Sequence, residues 1–167
     1  FPVQMMQRDL EIIDDLGCNS IRGSHYPNNP VFVDMLDAKG ITFWSEVPFW
    51  GHGYKEENAA DPVVVERGLA MHKEMVKYYY NHPCIILWGM HNEMPTETQP
   101  MVEMTKLYYA YLTENGGNRL VTYATDRPVK DICLEYCDII CLNRYTGWYY
   151  STREGWPEEM ESFRGRR

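Results

Sequence analysis

Hydrophobic positions along the chain follow two patterns that alternate from one end to the other. Apolar residues three and four positions apart, such as Met6, Leu10 and Ile13, are typical of amphipathic helices. Short apolar runs between those segments are typical of buried strands. Helices are predicted over residues 3–16, 31–39, 62–80 and 100–114, with a short turn or helix over 129–136 and the start of another at 158–163. Strands are predicted over residues 19–22, 41–45, 84–89, 120–125 and 138–142.

This alternation of strand and helix predicts an α/β fold with a parallel sheet. A doubly wound sheet needs about this many strands, whereas a barrel needs eight. The Gly-rich phosphate loop of doubly wound nucleotide-binding folds does not occur in the sequence. Instead, every predicted strand is followed by polar or charged residues, which are Arg22 and His25, Glu46, Asn92 and Glu93, Asp126, and Asn143 and Tyr145. Because all strand ends face one mouth in a closed ring, this pattern favours the barrel.

The predicted strand over residues 84–89 carries no charge, and Asn92 and Glu93 come shortly after its end, beyond Met90 and His91. We expect this strand to be buried on both faces, as central parallel strands are. A carboxylate at the C-terminal end of such a strand stands where α/β enzymes place catalytic groups. By position alone, Glu93 also fits as a cap for the helix that follows.

Composition and charge exclude several classes of function. The chain has 167 residues, of which 44% are hydrophobic, enough for one domain with a sizeable core. A net charge of −8 argues against a nucleic-acid partner and against an anionic membrane surface. No apolar run approaches the ~20 residues of a membrane span, and no signal peptide is visible, so we expect a soluble segment of undetermined compartment. The odd number of cysteines does not suggest a disulfide framework.

The residues expected at the mouth are suited to the hydrolysis of glycosides. Such a reaction uses one carboxylic acid to protonate the leaving oxygen and a second carboxylate to attack or to direct water. Loop aromatics such as Trp50 and Trp148 can pack against sugar rings. A metal-dependent hydrolase that uses His25, Glu46, His52 and Glu93 is the rival enzyme class. We predict no metal and no cofactor, because no His-x-His pair or comparably tight ligand motif occurs.

Four blocks of sequence, in order, resemble the catalytic barrel of the β-galactosidase/β-glucuronidase family of glycoside hydrolases. They are Ile21-Arg-Gly-Ser-His-Tyr-Pro27, Trp44-Ser-Glu-Val-Pro48, His82-Pro-Cys-Ile-Ile-Leu-Trp-Gly89 and His91-Asn-Glu93. The similarity covers nearly the whole chain. It implies a partial (β/α)8 TIM barrel that holds approximately strands 2 to 6 of the family's catalytic domain.

The resemblance also implies roles for individual residues. Glu93 corresponds to the family's general acid/base, and Asn92 to the residue that binds the sugar hydroxyl next to the reacting carbon. The implied substrate-binding set comprises His25, His52, Glu46, Asn143, Tyr145 and Trp148, in which Glu46 is expected to orient its neighbours. The family's nucleophile is another Glu, after the seventh strand, and no residue here is assigned to it. Arg22 is interpreted as a charge-organising group inside the barrel.

The implied activity is that of a retaining β-glycosidase that acts by double displacement, with β-galactosides ahead of β-glucuronides. A carbohydrate-binding or structural barrel segment without catalysis is the alternative from another class. All of residues 1–167 are expected to form part of one barrel domain. The first strand, the last two strands and N-terminal β-sandwich domains are expected outside this chain. The implied partners are a carbohydrate substrate and the remaining domains of the same polypeptide, and a homo-oligomer stays open.

Overall fold

The computed structural model describes residues 2–50 and 55–164 of the chain. Within those ranges a single sheet of five parallel strands runs in the order β1-β2-β3-β4-β5. The strands are β1 Ser20–Gly23, β2 Thr42–Glu46, β3 Ile85–Asn92, β4 Leu120–Thr125 and β5 Ile139–Leu142. Each strand pairs with the next one along the chain, without the reversal of order that defines a doubly wound sheet. This topology confirms the prediction of an α/β fold that forms part of a TIM barrel.

Helices connect the strands and cover one face of the sheet. They are α1 Val3–Asp15, α2 Pro30–Lys39, α3 Glu56–Ala60, α4 Pro62–Tyr79, α5 Gln99–Asn115 and α6 Trp156–Phe163, with 3-10 turns at Leu134–Tyr136 and Arg153–Gly155. Asn29 and Asp61 cap α2 and α4 by accepting hydrogen bonds from the backbone N–H groups of Val31 and Val63. α3 was not predicted, because five residues are too few to show an apolar period. None of the described helices is long and apolar enough to span a bilayer.

The core lies between the sheet and the helices. Its largest buried side chains include Phe43, Trp88, Tyr108 and Tyr123. The expectation that β3 is buried on both faces is wrong for its first half, because Ile86 is 43% exposed. Nearer its end, β3 is buried from Trp88 to Asn92.

Two histidines are fully buried between the sheet and the helices. The His72 ring lies 4.5 Å from the Tyr108 ring, and the His91 ring lies 4.4 Å from the Tyr123 ring. His72 Nδ1 bonds with the carbonyl oxygen of Gly68 at 2.7 Å, which requires that nitrogen to carry a proton. Burial lowers the pKa of His72 to about 4 and that of His91 to about 3, with His72 contributing to the lowering for His91. Both rings are therefore neutral at physiological pH.

These histidines are expected to destabilise the fold in acid. Their pKa values in the folded chain lie below the ordinary value of 6.5, so the unfolded chain binds more protons as the pH falls. The stability that the two neutral rings contribute is fully present above the ordinary histidine pKa of 6.5 and is lost progressively below it. Between pH 7 and pH 5, each histidine should lower the free energy of unfolding by about 2 kcal/mol. The thermal midpoint of His91→Gln should fall less between these pH values than that of the wild type. An equal fall in both proteins would contradict the prediction.

Candidate active site

The C-terminal ends of β1, β2, β3 and β5 are joined by one chain of hydrogen-bonded side chains. It runs from His25 through Glu46, Arg22, Asn92 and Asn143 to Glu93. Because the strands are parallel and adjacent, their carboxyl ends meet at one edge of the sheet. Polar residues that are far apart in sequence therefore contact one another at this edge.

Glu46 lies at the centre of the charged part of this network. Its side chain is only 1% exposed, and its two oxygens bond with His25 Nδ1 at 2.6 Å and with Arg22 Nε at 3.1 Å. Burial raises the pKa of the Glu46 carboxyl, whereas Arg22 and His25 oppose that rise. A Cβ atom at Gly89 would lie 2.5 Å from the Cβ of Glu46, so a glycine is required where β3 passes Glu46.

The Asn92 amide is held in one orientation by two donors. Its Oδ1 accepts hydrogen bonds from Arg22 Nη2 at 2.7 Å and from Asn143 Nδ2 at 2.9 Å. The oxygen must face these donors, which fixes the amide flip and turns the NH2 group away from them. An amide held in this way can donate a hydrogen bond to a ligand hydroxyl. Arg22 also packs 4.3 Å above the Trp44 ring, so its guanidinium is oriented from two sides.

Glu93 follows the last residue of β3 and has an unusual backbone conformation. Its φ is +52°, in the left-handed region that non-glycine residues seldom adopt. Its N–H donates to the carbonyl oxygen of Ala124 at 2.8 Å, and its Oε1 accepts from Asn143 Nδ2 at 2.6 Å. The carboxyl group is thereby held next to the Asn92 amide.

Glu93 opens onto a cavity of about 380 Å³. The residues that line it are Glu93, Asp126, Asn143, Arg144, Tyr145, Tyr149 and Tyr150. The pKa of Tyr145 is raised, mainly by burial and next by the charge of Glu93. Asp126, whose position the sequence left undecided, is one of the lining residues and therefore lies at the mouth. Its Oδ1 accepts a hydrogen bond from Arg127 Nη1 at 3.1 Å. The space and the polar lining suit a ligand with several hydroxyl groups.

The two loop tryptophans that were predicted to pack against the sugar, Trp50 and Trp148, do not line this cavity. Trp148 is 79% exposed and does not line the cavity, but it packs edge-on against Tyr149 with ring centroids 6.3 Å apart. Trp50 stacks on His25 at 5.6 Å between centroids. His52 lies outside the described residues.

Sequence reasoning missed three residues of the cavity wall, which are Arg144, Tyr149 and Tyr150. Arg144 Nε donates to Glu159 Oε1 at 2.5 Å, and its guanidinium lies 4.9 Å from the centre of the Tyr150 ring. The density of tyrosines between residues 145 and 150 was the only available signal.

The remaining histidines lie away from the mouth. His91 Nε2 bonds with Thr105 Oγ1 on α5 at 3.0 Å, so its ring points into the helical layer, as strand alternation predicts. His82 precedes β3 at the opposite edge of the sheet, with Nδ1 2.6 Å from Asp37 Oδ2. Among the described residues, only Asp34, Asp37 and His82 bring three potential metal ligands within 4.8 Å of one another. Asp37 already accepts hydrogen bonds from the Cys84 N–H and bonds with His82, which accounts for its position without an ion.

Two β-glucuronidases are similar to this chain over most of its length. The Bacteroides fragilis β-glucuronidase is 32% identical over 163 residues, which cover 96% of this chain and 22% of that protein. The Sus scrofa β-glucuronidase is 28% identical over 151 residues, which cover 90% of this chain and 23% of that protein. The chain thus spans less than a quarter of the length of these two relatives.

Solved structures with the same fold include proteins bound to uronic ligands. A GH2 β-galacturonidase from Eisenbergiella tayi bound to galacturonate is 35% identical, with a TM-score of 0.91 over 98% of this chain and 29% of that chain. A Ruminococcus gnavus β-glucuronidase in complex with uronic isofagomine is 29% identical, with a TM-score of 0.91 over 99% of this chain and 31% of that chain.

Residues 1–165 match the family described as "Glycosyl hydrolases family 2, TIM barrel domain". The match covers nearly the whole chain, and the order of the strands is that of a barrel. This chain therefore belongs to the family 2 glycosyl hydrolases and forms part of their TIM barrel domain.

Proposed function

We propose that the protein containing this chain is a retaining β-glycosidase in which Glu93 is the general acid/base. The observation that carries the proposal is the position of the Glu93 carboxyl, which faces the cavity and accepts a hydrogen bond from Asn143 beside the fixed Asn92 amide. Glu93 donates its proton to the leaving glycosidic oxygen while a carboxylate outside this chain attacks the anomeric carbon. In the second step, Glu93 takes a proton from the water that hydrolyses the glycosyl-enzyme ester.

The other mouth residues are proposed to bind and orient the sugar. Asn92 donates through its amide NH2 to the hydroxyl next to the reacting carbon. His25, His52, Asn143 and Tyr145 complete the sugar subsite, and Trp148 forms its outer rim. Glu46 acts through its neighbours, because both of its oxygens bond with Arg22 or His25. That engagement disfavours Glu46 as the nucleophile, which needs an oxygen free to attack.

We propose β-uronides as the substrate class, in place of the β-galactosides that the sequence analysis put first. The support comes from the relatives, which include β-glucuronidases and a β-galacturonidase with galacturonate bound. The complete protein is further proposed to contain the remaining barrel strands and N-terminal β-sandwich domains. This agrees with the 22% of the Bacteroides fragilis relative that the chain covers.

The substrate class is tested with the complete enzyme and three matched 4-nitrophenyl β-glycosides, the glucuronide, the galacturonide and the galactoside. We expect kcat/KM for one of the uronides to exceed that for the galactoside by about tenfold or more. The galactoside carries a CH2OH group in place of the carboxylate, so the polar groups of the site that bind the carboxylate are left without their partner. NMR of the first-formed product should show the β-anomer. A higher kcat/KM for the galactoside would contradict the uronide proposal, and an initial α-anomer would contradict retention.

The non-catalytic alternative has its own test. We expect the 167-residue chain alone to hydrolyse none of these substrates, because it is proposed to lack the nucleophile. The complete protein should turn them over. Inactivity of the complete, folded protein on all three substrates would favour a binding or structural role.

A further inference from the structure

Arg127, in the turn after β4, contacts the backbone of the proposed acid/base. Its Nη1 donates to the carbonyl oxygens of Glu93 at 3.1 Å and of Met94 at 2.7 Å. The same nitrogen lies 3.1 Å from Asp126 Oδ1, and Nε lies 3.3 Å from Glu97 Oε1. The guanidinium therefore links the segment that carries Glu93 to the turn that follows the neighbouring strand.

The backbone at Glu93 needs such support. A non-glycine residue in the left-handed region costs about 1–2 kcal/mol, and Glu93 has a φ of +52°. Conformations of this kind persist only where surrounding bonds determine them. The N–H of Glu93 is fixed by Ala124, and Arg127 fixes its carbonyl and the next one. Since the backbone sets the direction of the side chain, these bonds also set where the Glu93 carboxyl points.

Arg127 is itself held in place by its turn. Its N–H donates to Thr125 Oγ1 at 3.1 Å, and its carbonyl oxygen accepts from the N–H groups of Lys130 and Asp131. Asp131 Oδ1 in turn accepts from the Tyr123 hydroxyl at 2.9 Å, which ties the turn to β4. The guanidinium thus extends from an ordered turn toward Glu93.

We propose that Arg127 is a positioning residue for general acid catalysis. It touches the Glu93 backbone rather than the substrate, and it holds the carboxyl at the place where it protonates the leaving oxygen. This inference rests on the proposed function of Glu93. It predicts that loss of Arg127 harms those substrates that need protonation of the leaving group and spares those that do not.

The test uses the complete enzyme with two uronides that differ only in their leaving group. One releases 2,4-dinitrophenolate, which departs without protonation, and the other releases methanol, which must be protonated as it departs. We expect Arg127→Met to lower kcat/KM for the methyl glycoside by about tenfold or more, as part of the 10²–10⁴ that general acid catalysis supplies. The value for the dinitrophenyl glycoside should change by less than about threefold, because that step does not use the acid. Arg127→Lys should restore part of the loss, and Lys130→Met, an exposed cation of the same turn, should leave both substrates unaffected.

A purely structural role for Arg127 gives a different result. It would reduce the fraction of enzyme that is folded and so lower the rates on both substrates by the same factor. That outcome would overturn the inference. If Arg127→Met does not fold, Arg127→Lys decides, with the same selective loss expected on a smaller scale. Failure of both variants to fold would also overturn it. If Glu93→Gln itself shows no dependence on the leaving group, the proposed function is wrong; if only the Arg127 variants lack that dependence, the positioning role alone is wrong.

Discussion

Glu93→Gln in the complete enzyme is expected to lower kcat/KM for methyl β-uronides by about 10²–10⁴-fold, the contribution of a general acid. The variant keeps the size of the side chain and its bond with Asn143 but has no proton to donate. Dinitrophenyl β-uronides should form the glycosyl-enzyme at a nearly unchanged rate and then accumulate it, because the second step needs Glu93 as a base. Steady-state and burst kinetics with the two substrates measure both effects.

Azide provides a control on the role of Glu93. It needs no base, so it should raise the steady-state rate of Glu93→Gln with the dinitrophenyl substrate and yield the β-glycosyl azide. An α-glycosyl azide would mean that the nucleophile had been removed instead. Glu103→Gln, a change at an exposed carboxylate on α5, should behave as wild type. Equal losses on both substrates would contradict the acid/base assignment.

The position of Glu93 could be predicted because it depends on local sequence. An uncharged apolar run followed by Asn92 and Glu93 specifies a buried strand with polar groups at its end, and the structure contains that strand as β3. The predicted strand nevertheless ended too early, at Gly89. The register with β4 shifts between Gly89 and Asn92, so pairing continues through residues whose polarity suggests a loop.

The contacts around Glu93 could not be predicted in the same way. The bonds of Arg22 to Asn92 and of Asn143 to Glu93 join residues on strands that are distant in sequence. They depend on the register of every intervening strand pair, and apolar alternation with a period of two does not distinguish registers that differ by two residues. Sequence reasoning gave Arg22 a charge-organising role in general terms, but its particular partners follow only from the three-dimensional arrangement. The carbonyl contacts of Arg127 left no trace in sequence at all.

Arg22→Met is expected to have the largest effect on stability among the mouth residues. Among the described residues, it leaves the Glu46 carboxylate, 1% exposed, with His25 as its remaining side-chain partner, and it removes a donor from Asn92. Breaking a buried ion pair from one side costs about 3–5 kcal/mol, and about 2–4 kcal/mol is expected here because the Arg22 side chain is 26% exposed. Differential scanning calorimetry of the complete protein measures the loss as a lower unfolding midpoint of the barrel domain.

A double-mutant cycle separates the ion pair from the general disruption that either change causes. Glu46→Gln removes the buried charge, so Arg22→Met should cost less in that background than alone, with a coupling of about 1–3 kcal/mol. The pH dependence supplies a second check. Because burial already raises the pKa of Glu46 and Arg22 opposes that rise, loss of Arg22 should raise the pKa further. The Arg22→Met deficit should therefore be smaller at pH 5 than at pH 8, since a protonated Glu46 no longer needs a cation. Additive losses and a deficit that does not change with pH would mean that Arg22 stabilises the mouth through packing on Trp44 instead.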